Sequence, residues 1–341
     1  MGILFRKYFI YLSCILFFGI INIKNTYCQT ILNENKLNIK QDKLNKNNII
    51  EKHLNWHTKQ LLNKVKKITT RQYYIATISG SEHAILYSRI IDTFDIFGNN
   101  IEVRNYDADE KLLSTKIIAF DSNNIDTAIY FYNIRNEISS ILINKYDQKG
   151  NETEVTKYIN KNIIDSNALL QKYRYDSNDN LIEYLQYTIK GKLLLKFDYE
   201  YDKYGYLKEE LYNDVEGNVS SKNTSLYDSN GNRLEFISYN PNGSIERKYI
   251  NKFDLNNNDI ESITYKTDGS IEQKYFFKYD KHNNKIETNT CTSDGTIDET
   301  RTIYLEYKYD KKGNILKIEK YIKKDGKKTL KDFSEYEISY Y

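Results

Sequence analysis

The chain has few of the residues that stiffen or cross-link a fold: its 341 residues include one Pro, one Trp, one Met and three Cys. Two of the cysteines, Cys14 and Cys28, lie in the first 28 residues. Cys291 is therefore the single thiol beyond them, which excludes an intrachain disulfide framework once that leader is removed. The lone Pro241 and the wealth of aromatics exclude the usual composition of a disordered chain. An excess of charge of one sign is also missing. The 50 basic and 47 acidic residues give a formal charge of +3, and the leader holds Arg6, Lys7 and Lys24 with no acid, so the remainder is neutral. Electrostatic capture of nucleic acid or of an anionic membrane has no basis in such a chain.

Long apolar runs are missing too, with one exception. A basic start is followed by an apolar run from Tyr8 to Ile23 and a short polar stretch ending at Cys28. This order reads as a secretory signal peptide over residues 1–28, with cleavage expected near Cys28 and no membrane span left afterwards. What is abundant is tyrosine, 33 residues with 14 Phe, which suits a pleated surface with one apolar side and hydroxyls in reach of water.

Residues 29–67 form a polar leader and a helix. Gln29 to Lys46 is rich in Asn and Lys and has no period. From Asn48 the residues Ile50, Leu54, His57, Leu61 and Val65 recur on one helical face, and Asn48 with Glu51 matches a capping box. The pattern predicts one amphipathic helix over about 49–66, covering the open first edge of the array that follows.

Residues 68–341 are one unit repeated. A Tyr-Asp or Phe-Asp pair recurs at Phe94, Phe120, Tyr146, Tyr175, Tyr201, Tyr227, Phe253, Tyr279 and Tyr309, mostly 26 residues apart. Each copy has two turn signals, one of the YDxxGN kind and one of the YxxDG kind, so one repeat is two strands. Within a strand such as Ile271 to Tyr279 the parity places Tyr275, Phe277 and Tyr279 on one face and Lys274 on the other. The expected fold is all-β: an antiparallel meander of about 18 to 20 short strands, coiled into a superhelix or partial shell with the aromatic face inward. A lipid-facing barrel is excluded by the alternation, because one row carries Lys, Glu and Asn throughout.

The motifs YDQKGN (146–151), YDSNDN (175–180), YDSNGN (227–232) and YDKKGN (309–314) resemble those of the Rhs/YD-repeat family, over residues 94–341. The resemblance implies a large coiled β shell. Members of that family enclose a C-terminal toxin or act at cell surfaces in carbohydrate binding and contact. This chain ends in strand-like EYEISYY and its period is longer than the family's, so the expectation is surface binding without toxin delivery.

The recurrent Asp reads as an Asx-turn residue. Its rival is calcium, since Asp176 to Asn180 and Asp228 to Asn232 look like the start of a calcium loop. The twelfth positions, where a bidentate Glu belongs, hold Tyr187 and Tyr239. Most tyrosines read as an inter-repeat core ladder, and those outside the consensus, Tyr184, Tyr204 and Tyr206, are the candidates for stacking on a ligand. His53 and His57 lack a third metal ligand, His83 and His282 are isolated, and Cys291 fills a slot held elsewhere by Tyr. Neither a catalytic set, a metal site nor a cofactor is expected. The expected function is a secreted, non-enzymatic scaffold or adhesion and binding module at the bacterial surface or in the periplasm, with a carbohydrate or another surface protein as partner. A carbohydrate-binding protein using the three non-consensus tyrosines, and a hydrolase with a site on the concave face, are the competing readings.

Overall fold

The computed structural model describes residues 61, 64–159, 168–292, 295–324 and 326–341. The expected signal peptide, His53, His57 and most of the expected helix lie outside these residues. Twenty strands follow one another along the chain. They are β1 (Val65–Ile78), β2 (Ser81–Phe94), β3 (Asn100–Tyr106), β4 (Leu112–Phe120), β5 (Asp126–Tyr132), β6 (Ile138–Tyr146) and β7 (Glu152–Ile159). Then come β8 (Leu169–Tyr175), β9 (Leu181–Thr188), β10 (Leu193–Tyr201), β11 (Leu207–Asn213), β12 (Val219–Tyr227), β13 (Arg233–Tyr239) and β14 (Ile245–Phe253). The last are β15 (Asp259–Tyr265), β16 (Ile271–Tyr279), β17 (Lys285–Cys291), β18 (Ile297–Tyr309), β19 (Ile315–Lys324) and β20 (Lys327–Tyr340).

Each strand pairs antiparallel with the next, and β20 pairs back onto β1, with Thr70 opposite Tyr336 and Gln72 opposite Ser334. The sheet is therefore a closed 20-stranded barrel, which corrects the expected superhelix or partial shell. The physical reason is the edge: a coil leaves two rows of unpaired backbone N–H and C=O groups, whereas closure pairs them all. The seam is finished by Tyr341, whose N–H donates to the Lys64 carbonyl and whose hydroxyl donates to the Phe94 carbonyl.

The expected N-terminal helix is corrected as well. No helix occurs among the described residues, and Val65, the last member of the helical stripe, is the first residue of β1 and fully buried against the seam. The β-branched run Ile68-Thr69-Thr70 carries the strand on. Since β20 already covers the β1 edge, that edge has no need of a helix.

The turns fall on two rims. All Tyr-Asp and Phe-Asp turns lie on the rim that also holds the seam, and all YxxDG-type turns lie on the opposite one. The two faces of the wall differ in chemistry. One carries ion pairs that run across neighbouring strands, among them Lys145–Glu154 at 2.6 Å, Lys222–Glu209 at 2.6 Å, Lys248–Glu235 at 2.7 Å and Lys278–Glu287 at 2.9 Å. The other carries mostly Tyr, Phe, Ser, Thr, Asn and aliphatic side chains, with scattered charges such as Lys116, Glu210 and the Lys320 and Asp332 pair. Away from turns and bulges, exposed side chains from β3 to β19 (Arg104, Ile143, Lys172, Arg174, Leu226, Lys308) sit on the charged face. Side chains converge on the concave side of a closed sheet and diverge on the convex side. The charged face is thus the outside and the aromatic face the inside.

Candidate binding wall

The inner wall is built by a local alternation of size. Strands such as β14, β16 and β18 present rings inward (Tyr249 and Phe253; Tyr275, Phe277 and Tyr279; Tyr307 and Tyr309), whereas β15 and β17 between them present Ser262, Thr264, Thr288 and Thr290. Large beside small lets side chains fit where a closed sheet narrows toward its axis. Rings two apart on one strand then stack: Tyr275 on Phe277 at 6.2 Å and 12°, Tyr307 on Tyr309 at 6.4 Å and 22°.

The rings near the seam-side rim are anchored by their hydroxyls. Each of these turns is followed by a bulge, and the carbonyl of a residue at the bulge accepts from a tyrosine on the next strand. Tyr175 donates to the Glu152 carbonyl, Tyr201 to Leu181 and Tyr279 to Asp259, each at 2.8 Å, and Tyr307 donates to Lys285 at 2.9 Å. Tyr146 instead reaches the Asp126 carboxylate at 2.8 Å. Burial first, then the neighbouring Asp126 charge, pushes the Tyr146 phenol far above its ordinary range, so it stays neutral.

The paired aspartate closes its turn. In Asp228 to Asn232, Oδ1 of Asp228 accepts the backbone N–H of Asn230 and of Asn232, both at 2.9 Å, while Oδ2 accepts the Asn232 amide at 2.8 Å. Burial opposes ionisation of Asp228, but these bonds outweigh it and hold the carboxyl below its usual value. Asp176 and Asp254 repeat the arrangement. The Asx reading describes these carboxylates, whose oxygens already accept backbone and amide hydrogens. Among the described residues no trio of His, Cys, Asp or Glu is arranged to hold a metal.

The turn asparagine does something that reading single repeats misses. Its amide also reaches the next turn along the rim: Asn99 to Asn124, Asn151 to Asp179, Asn232 to Asn257 and Asn258 to Asn283. Asn284 and Asn314 donate instead to the hydroxyls of Tyr309 and Tyr340. The signal in the sequence is the Asn four residues after seven of the nine turn aspartates, Asp121 and Asp202 being followed by Ile125 and Tyr206 instead.

A continuous aromatic surface spans β8 to β11. Tyr173 meets Tyr184 at 5.3 Å, Tyr184 meets Phe197 at 6.0 Å, and Phe197 meets Tyr199 at 6.2 Å and Tyr212 at 5.1 Å. Gln171 and Gln186 accept the hydroxyls of Tyr173 and Tyr184. Burial pushes the Tyr184 phenol up to about 12 and those of Tyr173 and Tyr199 higher still. Such a wall offers flat, neutral ring faces bordered by amide and hydroxyl groups, with the Glu210 carboxylate opposite Tyr199.

The three candidate tyrosines do not come together. Tyr184 lies mid-strand in β9 at the centre of this surface, only 6% exposed. Tyr204 and Tyr206 lie in the rim turn between β10 and β11. Tyr204 is 63% exposed with the Lys203 ammonium 4.8 Å over its ring. Tyr206 stands where other turns have Asn, and stacks on Tyr227 at 5.2 Å. Cys291 is buried at the end of β17, in the outer-face row of Tyr239 and Tyr265, and His282 lies beside Tyr309 on the rim. Beyond Cys291 the period breaks in β18, where pairing jumps from Thr288–Ile303 to Thr290–Asp298 and fully buried Thr302 donates to Asn289.

No family model matches the chain, and no curated protein matches it. Among solved structures it is similar to a porin-like protein from Bacteroides uniformis, at 11% identity over 82% of this chain and 99% of that one, with a TM-score of 0.34. It is also similar to part of a Tc holotoxin pore from Photorhabdus luminescens, at 14% identity over 70% of this chain and 14% of that one, TM-score 0.30. A porin-like protein from Bacteroides vulgatus shares 11% identity over 59% of this chain and 94% of that one, TM-score 0.25. Likenesses at this level carry no inference about what this chain does, and the barrel stands on its own strand pairing.

Proposed function

We propose that the chain is a secreted, non-enzymatic β-barrel that serves as a binding module or scaffold at the bacterial surface or in the periplasm, with its inner aromatic wall as the binding surface. The observation that carries this reading is the continuous ring surface of Tyr173, Tyr184, Phe197, Tyr199 and Tyr212, bordered by Gln171 and Gln186. Flat rings beside amides suit a ligand with alternating apolar faces and hydroxyl edges, as a carbohydrate has. Support for a place outside the cytoplasm comes from the signal-like leader. The ion pairs on the outer face argue for an exterior bathed in water, since Lys and Arg facing lipid cost about 2 to 4 kcal/mol each at mid-depth. The test is a thermal-shift and tyrosine-fluorescence titration with soluble polysaccharides and a broad glycan array, on the wild-type chain and Phe197→Ala. A melting-temperature rise in the wild type that the variant loses supports the wall as the site. Binding unaffected by Phe197→Ala refutes that location, and silence across the array refutes the carbohydrate.

A further inference from the structure

β1 and β2 run on past the closed wall. They are 14 residues long each, where β3 and β4 are 7 and 9. Pairing of β1 with β20 ends at Tyr74, opposite Asp332, and pairing of β2 with β3 starts only at Arg89, opposite Tyr106. Between these points β1 and β2 pair with each other, up to the closing pair of Ile78 and Ser81. The tip residues Ser79 and Gly80 both have positive φ, 53° and 83°, the two-residue turn whose twist matches its strands. A regular hairpin arm therefore stands on the rim opposite the seam.

Both faces of the arm are mostly apolar. Register puts Tyr74, Ala76, Ile78 and Ile85 on one face and Ile75, Ala84 and Leu86 on the other, whereas a strand wetted on one side alternates. Tyr74 is 45% and Ile78 50% exposed. A lone two-stranded ribbon is marginal in water, and further strands secure it. The two edges of the arm differ. Ile75 to Ile78 lie on the side of β20, whose next residues include Lys331, Lys328 and Lys327, and lysines blunt a sheet edge. Ser81 to Leu86, with the sequence SEHAIL, hold no lysine, and among the described residues no strand pairs with them on the β3 side. That edge presents alternate backbone N–H and C=O groups to any strand that lies along it.

We propose that this edge is a strand-addition surface and that its occupant is the same edge of a second copy of the chain, the two arms pairing antiparallel about a two-fold axis at Ala84. Ala84 lies midway between Ser81 and Tyr87 and brings a small side chain to the axis. In this register Glu82 faces Leu86 of the other copy and His83 faces Ile85, so no like charges are opposed. The join makes a four-stranded sheet with apolar faces. It also closes on itself: each copy uses its unguarded edge, the lysine-flanked edge is left outside, and assembly stops at two. Neither the inner wall nor its ligand enters the argument.

Sedimentation equilibrium of the full chain over a wide concentration range tests the pairing. A monomer–dimer equilibrium is expected, and Ala84→Lys, which opposes two ammonium groups at the axis, is expected to weaken it by about ten-fold or more while the β circular dichroism stays unchanged. Oxidised Ala84→Cys is expected to form a disulfide between two copies at that position, located by peptide mapping. A chain that is monomeric at every concentration overturns the proposal and leaves the edge to a different partner. A dimer indifferent to Ala84→Lys, or one in which Ala84→Cys gives no disulfide between copies, overturns it as well.

Discussion

At the scale of single residues the wall is held by turn chemistry, and two glycines separate its components. Gly231 and Gly243 both have positive φ, +84° and +80°. A Cβ at Gly243 meets open space, whereas one at Gly231 would sit 2.8 Å from the Tyr206 ring. Gly243→Ala is therefore expected to cost about 1 kcal/mol from backbone strain alone, and Gly231→Ala about 2 to 3 kcal/mol, in urea denaturation. Equal costs would show that the Tyr206 ring does not press on the next turn. Asp259, buried at a bulge, behaves unlike the turn acids. Desolvation raises its pKa to about 6, with nearby Lys285 pulling the other way. A carboxyl whose folded pKa lies above its unfolded value favours the fold at low pH, and that benefit is lost as pH rises from about 4 through 6. Asp259→Asn is expected to leave stability unchanged near pH 4 and to raise it at pH 7.5, by at most about 3 kcal/mol at about 1.4 kcal/mol per pKa unit. A uniform loss at both pH values would contradict the assignment. The roles of Asp and Gly were legible because turn chemistry is local. The carboxylate of Asp228 bonds two and four residues ahead, and φ belongs to one residue.

Among elements, the repeat was legible as two strands per unit, because strand period and turn residues lie within about thirteen positions of one another. The inward aromatic rows followed from parity alone. Links between turns did not, since Asn258 reaches Asn283 across a whole repeat and nothing local marks the contact. Asn258 is buried and bonds both Asp254 and Asn283, whereas exposed Asn218 bonds Asp214 alone. Asn258→Ala is expected to cost about 2 kcal/mol and Asn218→Ala less than about 1 kcal/mol, measured by chemical denaturation. A cost that is the same at both positions would mean the rim contacts add nothing to the turns. The candidate tyrosines were legible only as exceptions to the consensus. Whether an exception is buried, like Tyr184, or exposed, like Tyr204, depends on neighbouring strands that a repeat pattern does not specify.

For the whole molecule the decisive feature is closure. A coil and a ring share every turn, parity and neighbour pairing from β1 to β20. They differ only in whether the accumulated curvature brings the last strand beside the first, and no local pattern encodes that sum. The same closure gives β20 the edge of β1 that the N-terminal stripe was expected to cover. It also makes the seam the place to test the account. Gln72 and Ser334 face each other across it, and opposed residues in antiparallel strands have Cα atoms about 4.5 to 5.5 Å apart, within disulfide reach. In a Gln72→Cys, Ser334→Cys chain, mild oxidation is expected to give an intramolecular disulfide that leaves the covalent mass that of one chain and the β circular dichroism unchanged. Free thiols at both positions, or disulfide formed only between chains, would contradict a closed barrel.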